Sequence, residues 1–196
     1  MPAQQPQGKM TAAEYLEMER TSLDIKHEFY DGEVFAMVGA SRHHNRINVN
    51  LTAKLHNTLG SGGFNCDLFS NDMRVKTGVE KYSYPDIVLY CGDAEFEDDK
   101  FDTLTNPVVI IEILSDSTEA FDRGDKFDHY RRIPTVKEYI LVSQKKYWIG
   151  QYVRQQSGKW TYDSYEGVDQ TLKIESVNCE LPLSEIYLNM EEGWQK

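Results

Sequence analysis

The sequence predicts an α/β fold of the α+β type, with helices on the faces of a mixed sheet, from three observations. Helical and strand patterns follow in the order helix, hairpin, helix, several strands, helix, strand and further strands. The stretch PVVIIEILS, residues 107–115, is almost continuously apolar, which is typical of a central strand covered on both faces. Neither GxGxxG nor a P-loop motif occurs, so Rossmann and P-loop nucleotide folds are disfavoured.

Two helices and a hairpin are predicted in the N-terminal third of the chain. The capping-box pattern TAAE, beginning at Thr11, places a first helix from about residue 12 to 20. The Asp-Gly pair at 31–32, within HEFYDGEVFAM, is the strongest two-residue hairpin signal. Residues 42–59 carry leucine and isoleucine at four-residue spacing, which predicts a second helix that ends at the glycines from Gly60 onwards.

Strands dominate the remainder of the predicted order. The strand patterns are FNCDLFS, MRVK, YPDIVLY, PVVIIEILS, KEYILVS, YWIGQYVRQ, KWTYDSY and TLKIE. After PVVIIEILS, a helix capped by Ser115 or Ser117 is predicted to run to about residue 132. A hairpin turn is expected at residues 157–158, and Pro182 opens a last short helix.

Length and composition indicate one domain. The 196 residues suit a polar, disordered tail over residues 1–10 and a single domain over residues 11–196. No run of eighteen apolar residues occurs, so no membrane span is expected, and the N-terminus lacks the apolar core of a secretory signal. Cys66, Cys91 and Cys179 form no CxxC or zinc pattern, so we expect three reduced thiols and a cytoplasmic protein.

The net charge of −11 argues against a surface that binds nucleic acid on all sides. The charge is uneven, because residues 41–81 hold six Lys and Arg against three acids. Residues 93–102, DAEFEDDKFD, hold six acids and one Lys, and we expect a solvated loop there. The sequence therefore does not exclude a local basic surface.

Glu112 is the first candidate for chemistry, because it interrupts the apolar strand PVVIIEILS. A buried carboxylate requires a proton, a cation or a metal, although a strand end at the surface or an ion pair would also account for it. Asp86, in YPD, begins another strand and meets Glu112 if the two strands are neighbours. Lys126 lies roughly nine residues into the following helix, about 13 Å along it, and so can reach back to Glu112.

Two carboxylates and a lysine suit metal-assisted phosphodiester hydrolysis. Mg²⁺ takes one or two carboxylates together with waters and phosphate oxygens, and it lowers the pKa of a bound water. A nearby lysine orients or deprotonates that water and offsets the charge that develops on the phosphate. No GxSxG motif supports serine-hydrolase chemistry.

The chain also resembles a known family over nearly its whole length. The matching segments are HEFYDGEVFAM, His44-Asn45, YPDIVLYCG, IEILSDSTEAFDRGDKFDHYRRIPTVKEYILV, GKW and LPLSEIY. They are similar to the Uma-two family, a domain of unknown function described as a putative restriction endonuclease of the PD-(D/E)XK superfamily. The resemblance implies a restriction-endonuclease-like αβββαβ core with an N-terminal β-hairpin and C-terminal β-rich additions. It also implies a homodimer.

The resemblance extends the set of candidate site residues. The position two residues after Glu112 is Leu114 rather than the usual lysine, and the family resemblance assigns that role to Lys126. The resemblance also implies Glu28 as a further acidic metal ligand and His44 at the mouth of the site. Asp122 and Tyr130 are spaced to share one helix face with Lys126, and Arg123 is an alternative phosphate contact. Asp122, Arg123 and Tyr130, together with His44, are therefore the possible accessory residues.

Three hypotheses of function remain. The first is a DNA endonuclease in which Asp86 and Glu112 hold Mg²⁺, or Mn²⁺ in its place, Glu28 assists and Lys126 positions the water. The second is a nuclease-fold nucleic-acid-binding module with little or no turnover, which the net charge and the missing motif lysine favour. The third is a phosphatase-like or nucleotide-hydrolysing enzyme that uses the same metal chemistry.

Overall fold

The structure is a computed structural model that describes residues 9–37, 39–61, 65–190 and 194. The predicted disordered tail falls mostly on residues 1–8, which lie outside the described residues. Met10 of the predicted tail is described, and its backbone N–H donates to the carbonyl of Gly32 at 2.9 Å. The described residues therefore begin slightly before the predicted domain boundary.

The described residues contain five α-helices, one 3₁₀ helix and thirteen strands. The helices are α1 (Ala12–Thr21), α2 (Arg42–Ser61), α3 (Glu119–Arg123), α4 (Asp125–Tyr130), the 3₁₀ helix (Glu175–Val177) and α5 (Leu183–Ile186). The strands of the first half are β1 (His27–Tyr30), β2 (Glu33–Ala36), β3 (Cys66–Ser70), β4 (Arg74–Gly78), β5 (Lys81–Ser83), β6 (Ile87–Cys91) and β7 (Thr103–Leu104). The remaining strands are β8 (Val109–Leu114), β9 (Glu138–Ser143), β10 (Trp148–Arg154), β11 (Trp160–Glu166), β12 (Thr171–Ile174) and β13 (Cys179–Pro182).

A six-stranded mixed sheet, in the order β11-β10-β9-β8-β6-β3, forms the centre of the fold. Strands β3, β6 and β8 are antiparallel neighbours, whereas β8 and β9 are parallel and joined through α3 and α4. All six residues of β8 are buried, as the apolar run predicts for a strand covered on both faces. The mixed α+β fold is confirmed, and α2, β3, β6, β8, α3–α4 and β9 form the expected αβββαβ order.

The N-terminal hairpin belongs to a second sheet, in the order β2-β1-β5-β4-β7. The Asp31-Gly32 turn is confirmed: φ is 51° at Asp31 and 92° at Gly32, the left-handed conformations that a two-residue turn of this kind requires. The capping box of Thr11 and Glu14 is also present at the start of α1. Strands β5 and β7 have no counterpart in the sequence prediction, because each has only two or three residues.

The prediction of one continuous helix after β8 is wrong. It divides at Gly124 into the short helices α3 and α4, and Thr118 precedes α3 in the N-cap position. Ser115 instead accepts the N–H of Thr118 through its hydroxyl at 3.2 Å and holds the turn before the helix. A smaller difference occurs in α2, which continues through Gly60 to Ser61, and the glycines at 62 and 63 lie outside the described residues.

The prediction of three reduced thiols is wrong for Cys66 and Cys91, which form a disulfide. Strands β3 and β6 are antiparallel, and their register places the two residues directly opposite each other. The pairing depends on this register between residues 25 apart in sequence, which spacing alone does not reveal. Cys179 is free and buried.

We expect removal of this disulfide to lower the stability of the protein. Closing a loop between residues 25 apart restricts the unfolded chain, so the Cys66→Ser/Cys91→Ser variant should lose roughly 2–4 kcal/mol of unfolding free energy. Urea unfolding of the oxidised protein and the variant measures this loss. Thiol titration of the denatured, unreduced protein should find one thiol per chain, and three thiols would contradict the pairing.

The acidic segment 93–102 is attached to the fold rather than freely solvated. Arg20 binds Asp98 and Asp102 at 2.7 Å each, and the buried Arg74 reaches Asp102 at 2.8 Å. The hydrogen bond from Arg20 lowers the pKa of Asp102 to about 2. The segment is the predicted loop with most of its residues exposed, and these ion pairs attach two of its carboxylates to the fold.

Candidate active site

A cleft of about 900 Å³ opens at the carboxyl ends of the parallel strands β8 and β9. Ser115 and Asp116, which follow β8, and Gln144 and Lys145, which follow β9, line one side of it. The floor of the cleft consists of residues from β1, α2, the start of β6, β8, α3 and α4. Six of the predicted site residues line the cleft: Glu28, His44, Asp86, Glu112, Asp122 and Lys126.

Asp86 and Glu112 converge because β6 and β8 are antiparallel neighbours. The pair Ile87 and Ile111 is in register, so the next pair along the two strands is Asp86 and Glu112. Directly opposed residues of an antiparallel pair have Cβ atoms roughly 5 Å apart. At this end of the strand pair, the backbone N–H of Ile113 donates to a side chain, because Oδ2 of Asp86 accepts it at 2.7 Å.

Lys126 lies among three carboxylates. Its Nζ is 3.0 Å from Glu112 Oε1, 3.1 Å from Glu28 Oε1 and 3.8 Å from Asp122 Oδ1. Its side chain is only 7% exposed. Lys126 thus reaches Glu112 as the sequence predicted, although it does so from the second residue of α4 rather than from the middle of one long helix.

Glu28 comes to the site from the second sheet. Its Oε1 accepts the backbone N–H of Tyr84 at 3.1 Å, which links β1 to the segment that leads to Asp86. Glu19 of α1 supports this arrangement, because its Oε1 accepts the Tyr84 hydroxyl at 3.1 Å and the His27 N–H at 3.0 Å. The N-terminal hairpin therefore contributes to the cleft and is not a peripheral addition.

Negative charge exceeds positive charge on the floor of the cleft. Burial raises the pKa of Glu112 well above its ordinary value, and Asp122, Asp86 and Glu28 add to this rise while Lys126 opposes it. Burial also raises the pKa of Asp122, again against the charge of Lys126. Burial lowers the pKa of Lys126, but the surrounding carboxylates together raise it well above its ordinary range. One ammonium therefore contacts three carboxylates, with Asp86 as a fourth close to Glu112, and a further cation would be stabilised there.

His44 adds an imidazole ring to the same floor. It lies in the first turn of α2, and its Nε2 is 3.1 Å from Asp86 Oδ1 and 3.2 Å from Asp86 Oδ2. His44 therefore lies on the floor of the cleft in contact with Asp86, whereas the resemblance implied a position at its mouth.

The two remaining candidates do not line the cleft. Arg123 binds Glu119 at 2.9 Å, and its guanidinium lies 4.5 Å from the ring centre of Trp148, outside the cleft. Tyr130 is fully buried beside Tyr139, with ring centres 5.6 Å apart. Burial raises the pKa of Tyr130 most, and the charge of Glu112 raises it further. The ring therefore lies close to the acidic residues but is not accessible from the cleft.

The donor set fits a hard divalent cation by its chemistry. Oxygen ligands from one or two carboxylates, completed by water, are the usual protein contribution to a Mg²⁺ site. The Oε1 atom of Glu112 is buried and accepts no hydrogen bond of good geometry from the described residues, although Lys126 lies 3.0 Å away. Among these residues, no group of three or more His, Cys, Asp or Glu is arranged as a metal site, so Asp86 and Glu112 would share the ion with solvent.

Several residues that shape the site escaped sequence analysis. Asn48 donates to the backbone carbonyl of Asp86 at 3.3 Å, and Asn71 donates its N–H to that carbonyl at 2.8 Å. Tyr139 donates its hydroxyl to the carbonyl of Asp122 at 2.8 Å. A sequence signal existed only for Asn48, which follows His44 by four residues and so shares its helix face.

The αβββαβ core and the cleft with two opposed carboxylates and a lysine define a chain of the restriction-endonuclease-like fold class. The profile of the Uma2 family, described as "Putative restriction endonuclease", matches residues 12–185, and the chain belongs to this family. The resemblance to the Uma-two family that the sequence motifs indicated is confirmed. The family description and the fold support a nuclease.

Two relatives of similar length resemble this chain in sequence, and one solved structure resembles it in fold. An uncharacterized protein of Synechocystis sp. is 32% identical over 183 residues, which are 93% of this chain and 93% of the relative. A second uncharacterized Synechocystis protein is 37% identical over 166 residues, or 84% of this chain and 92% of that one. The crystal structure of a "putative nuclease belonging to DUF820" from Anabaena variabilis matches 91% of this chain and 97% of its own, with a TM-score of 0.75 and 15% identity. That structure shares the fold.

None of the helices within the described part of the chain is long and apolar enough to cross a membrane.

Proposed function

We propose that this chain is a divalent-metal-dependent endonuclease that hydrolyses phosphodiester bonds in DNA. The observation that carries the proposal is the floor of the cleft, where Lys126 contacts Glu28, Glu112 and Asp122 while Asp86 adds a fourth carboxylate beside Glu112. This excess of negative charge supports the binding of a further cation. Membership of a family described as restriction endonucleases supports the reaction class.

Asp86 and Glu112 are the residues proposed to hold Mg²⁺ or Mn²⁺, with Glu28 assisting. When bound, such an ion supplies a water of lowered pKa and a positive charge next to the phosphate. The N–H of Ile113 and the ring of His44 fix the Asp86 carboxylate at the edge of the sheet. Glu28 and Glu112 hold the Lys126 ammonium between them.

Lys126 is proposed to orient the attacking water and to donate to the phosphate. Its raised pKa keeps it protonated at neutral pH, so it acts as a cation and hydrogen-bond donor rather than as the base. In the reaction, the water oxygen bonds to phosphorus and one ester P–O bond breaks, which leaves a phosphate monoester and a hydroxyl end. Arg123 has no part in this scheme.

The rim of the cleft supports contact with the DNA backbone. Lys26 and Lys145 line it, and each forms an exposed ion pair, with Asp72 and Asp116 respectively. Exposed pairs of this kind contribute roughly 0–1 kcal/mol, so a phosphate can replace the aspartate at little cost. We further expect from the resemblance a homodimer, in which two clefts act on two strands. The expectation of a cytoplasmic protein is based on three reduced thiols, and the Cys66–Cys91 disulfide removes that basis, because stable disulfides are rare in cytosolic proteins.

A panel of substrates tests the proposed function. Supercoiled plasmid, a single-stranded oligonucleotide and small phosphoesters are incubated with Mg²⁺, with Mn²⁺ or with EDTA. We expect metal-dependent nicking of DNA by the wild type, none by Asp86→Asn, and unchanged nicking by the matched control Asp163→Asn on the exposed strand β11. Hydrolysis of the small phosphoesters alone would instead support a phosphatase-like enzyme.

A nucleic-acid-binding module with little turnover is the second candidate. It is favoured by Lys126, which already compensates Glu112 and Glu28, and by the lack of a three-residue metal cluster within the described residues. Retarded migration of DNA by a protein that binds neither Mg²⁺ nor Mn²⁺ would support this candidate over the first.

A further inference from the structure

We propose that His44 is the positioning residue for Asp86: its Nε2–H donates to the carboxylate and directs the remaining lone pairs of Asp86 towards the cleft. This inference rests on the proposed metal-dependent function, which it deepens by assigning a residue that sets the affinity for the metal. Nothing in the family description or in the motif of two carboxylates and a lysine requires it.

The contacts of Asp86 define how little freedom its carboxylate retains. Oδ2 accepts the Ile113 N–H at 2.7 Å, and His44 Nε2 lies 3.1 and 3.2 Å from Oδ1 and Oδ2. The side chains of His44 and Asp86 are 11% and 18% exposed. Two donors therefore restrain the orientation of a carboxylate that lines the cleft.

The bonding pattern assigns the tautomer of His44. An ionised carboxylate only accepts hydrogen bonds, so the nitrogen that faces Asp86 carries the hydrogen. The other ring nitrogen, Nδ1, is buried and has no hydrogen-bond partner among the described residues. The geometry therefore places the hydrogen of His44 on Nε2, from which it is donated to Asp86.

The N-cap and the first turns of α2 hold this ring in place. The Ser41 hydroxyl accepts the N–H of His44 at 3.1 Å and the Ser41 carbonyl accepts the N–H of Asn45 at 3.0 Å, so Ser41 caps the helix. One turn later, Asn48 donates to the backbone carbonyl of Asp86. The same helix face therefore fixes Asp86 twice, through its carboxylate by His44 and through its carbonyl by Asn48. The face then continues as the apolar contact of α2 with the central sheet, formed by Ile47, Leu51, Leu55 and Leu59.

A donor behind a metal-binding carboxylate matters because it orients the ligand before the ion arrives. Loss of such an outer partner typically weakens metal affinity by about 10- to 100-fold. His44→Phe removes the donor and keeps a flat ring, whereas His44→Gln places an amide N–H where Nε2 lies. We expect the phenylalanine variant to bind Mn²⁺ about 10- to 100-fold more weakly and the glutamine variant to stay within about threefold of the wild type.

The test measures Mn²⁺ dissociation constants by calorimetry for the wild type, His44→Phe, His44→Gln and the matched control His56→Phe. His56 is an exposed histidine on the same helix. Thermal melting shows that each variant is folded. A positioning role also predicts that DNA cleavage by His44→Phe recovers when Mn²⁺ is raised to saturate the weakened site.

The outcomes separate this proposal from the function on which it rests. Equal Mn²⁺ affinity in the wild type and His44→Phe overturns the positioning role and leaves the proposed function intact. Equal weakening by Phe and Gln overturns it as well, because the donor would then not be the cause. A wild type that binds no Mn²⁺ removes the proposed metal-dependent function, and the role of His44 with it.

Discussion

The Lys126→Met variant should lose DNA cleavage by about 10²–10³-fold, the range typical of a lost donor that stabilises charge developing in the transition state. It should also be less stable than the wild type by roughly 3–5 kcal/mol at neutral pH, because a buried pair loses its cation. Methionine fills a similar volume, so the loss reflects charge rather than an empty space. Glu28, Glu112 and Asp122 would remain close together with no cation among them.

The loss of stability in Lys126→Met should depend on pH in a defined direction. Without the ammonium, the pKa values of the neighbouring carboxylates rise further, so these groups take up protons as the pH falls and the repulsion between them disappears. Urea unfolding at pH 5 and at pH 8 should therefore show a smaller deficit at pH 5. Lys159→Met, at an exposed position between β10 and β11, is the matched control and should match the wild type. A deficit that is equal at both pH values would contradict the assigned charge balance.

Glu112→Gln should abolish cleavage without lowering stability. The uncharged amide oxygen is a weaker ligand for a hard cation than a carboxylate, and we expect activity to fall by at least about 10³-fold, or about 4 kcal/mol of transition-state stabilisation. Glu112 is 4% exposed, and burial together with Asp122, Asp86 and Glu28 raises its pKa. Glutamine has the same shape and no charge, and Lys126 keeps Glu28 and Asp122 as partners. The carboxylate therefore serves activity at the expense of stability.

The sign of the pH effect follows from the raised pKa of Glu112. The folded protein holds the Glu112 proton to higher pH than the unfolded chain, so its contribution to stability is fully present below the unfolded pKa and is lost as the pH rises through the folded pKa. The melting temperature of the wild type should thus fall relative to Glu112→Gln between pH 4 and pH 8. Glu166→Gln, on the exposed strand β11, should show no such trend. A Glu112→Gln variant that becomes the less stable protein as the pH rises would refute the raised pKa.

The neighbouring strands at the site were predictable from the sequence, whereas the break in the helix was not. The apolar run around Glu112 and the YPD start of β6 identify two central strands, and their antiparallel pairing brings Asp86 opposite Glu112. Gly124 gives no clear signal, because a single glycine within a helical pattern is often tolerated. Lys126 still reaches Glu112, since the chain that bends at Gly124 keeps α4 folded back along the sheet.

Contacts between distant segments explain what the sequence could not supply. The partnership of His44 with Asp86 depends on how α2 crosses the sheet, and the Glu28 contact with Tyr84 depends on a second sheet whose strands β5 and β7 are too short to recognise. The Cys66–Cys91 disulfide depends on the β3–β6 register in the same way. Local patterns identify elements, whereas the pairing of elements over 25 or more residues decides which polar groups meet.

Calorimetric titration with Mn²⁺ of the wild type and of the Asp86→Asn/Glu112→Gln double variant tests the central claim most directly, because it measures the proposed metal site without requiring the correct DNA target. We predict saturable binding by the wild type and none by the folded double variant. Identical binding curves for the two proteins, or no binding by the wild type, would contradict the assignment of Asp86 and Glu112 as metal ligands.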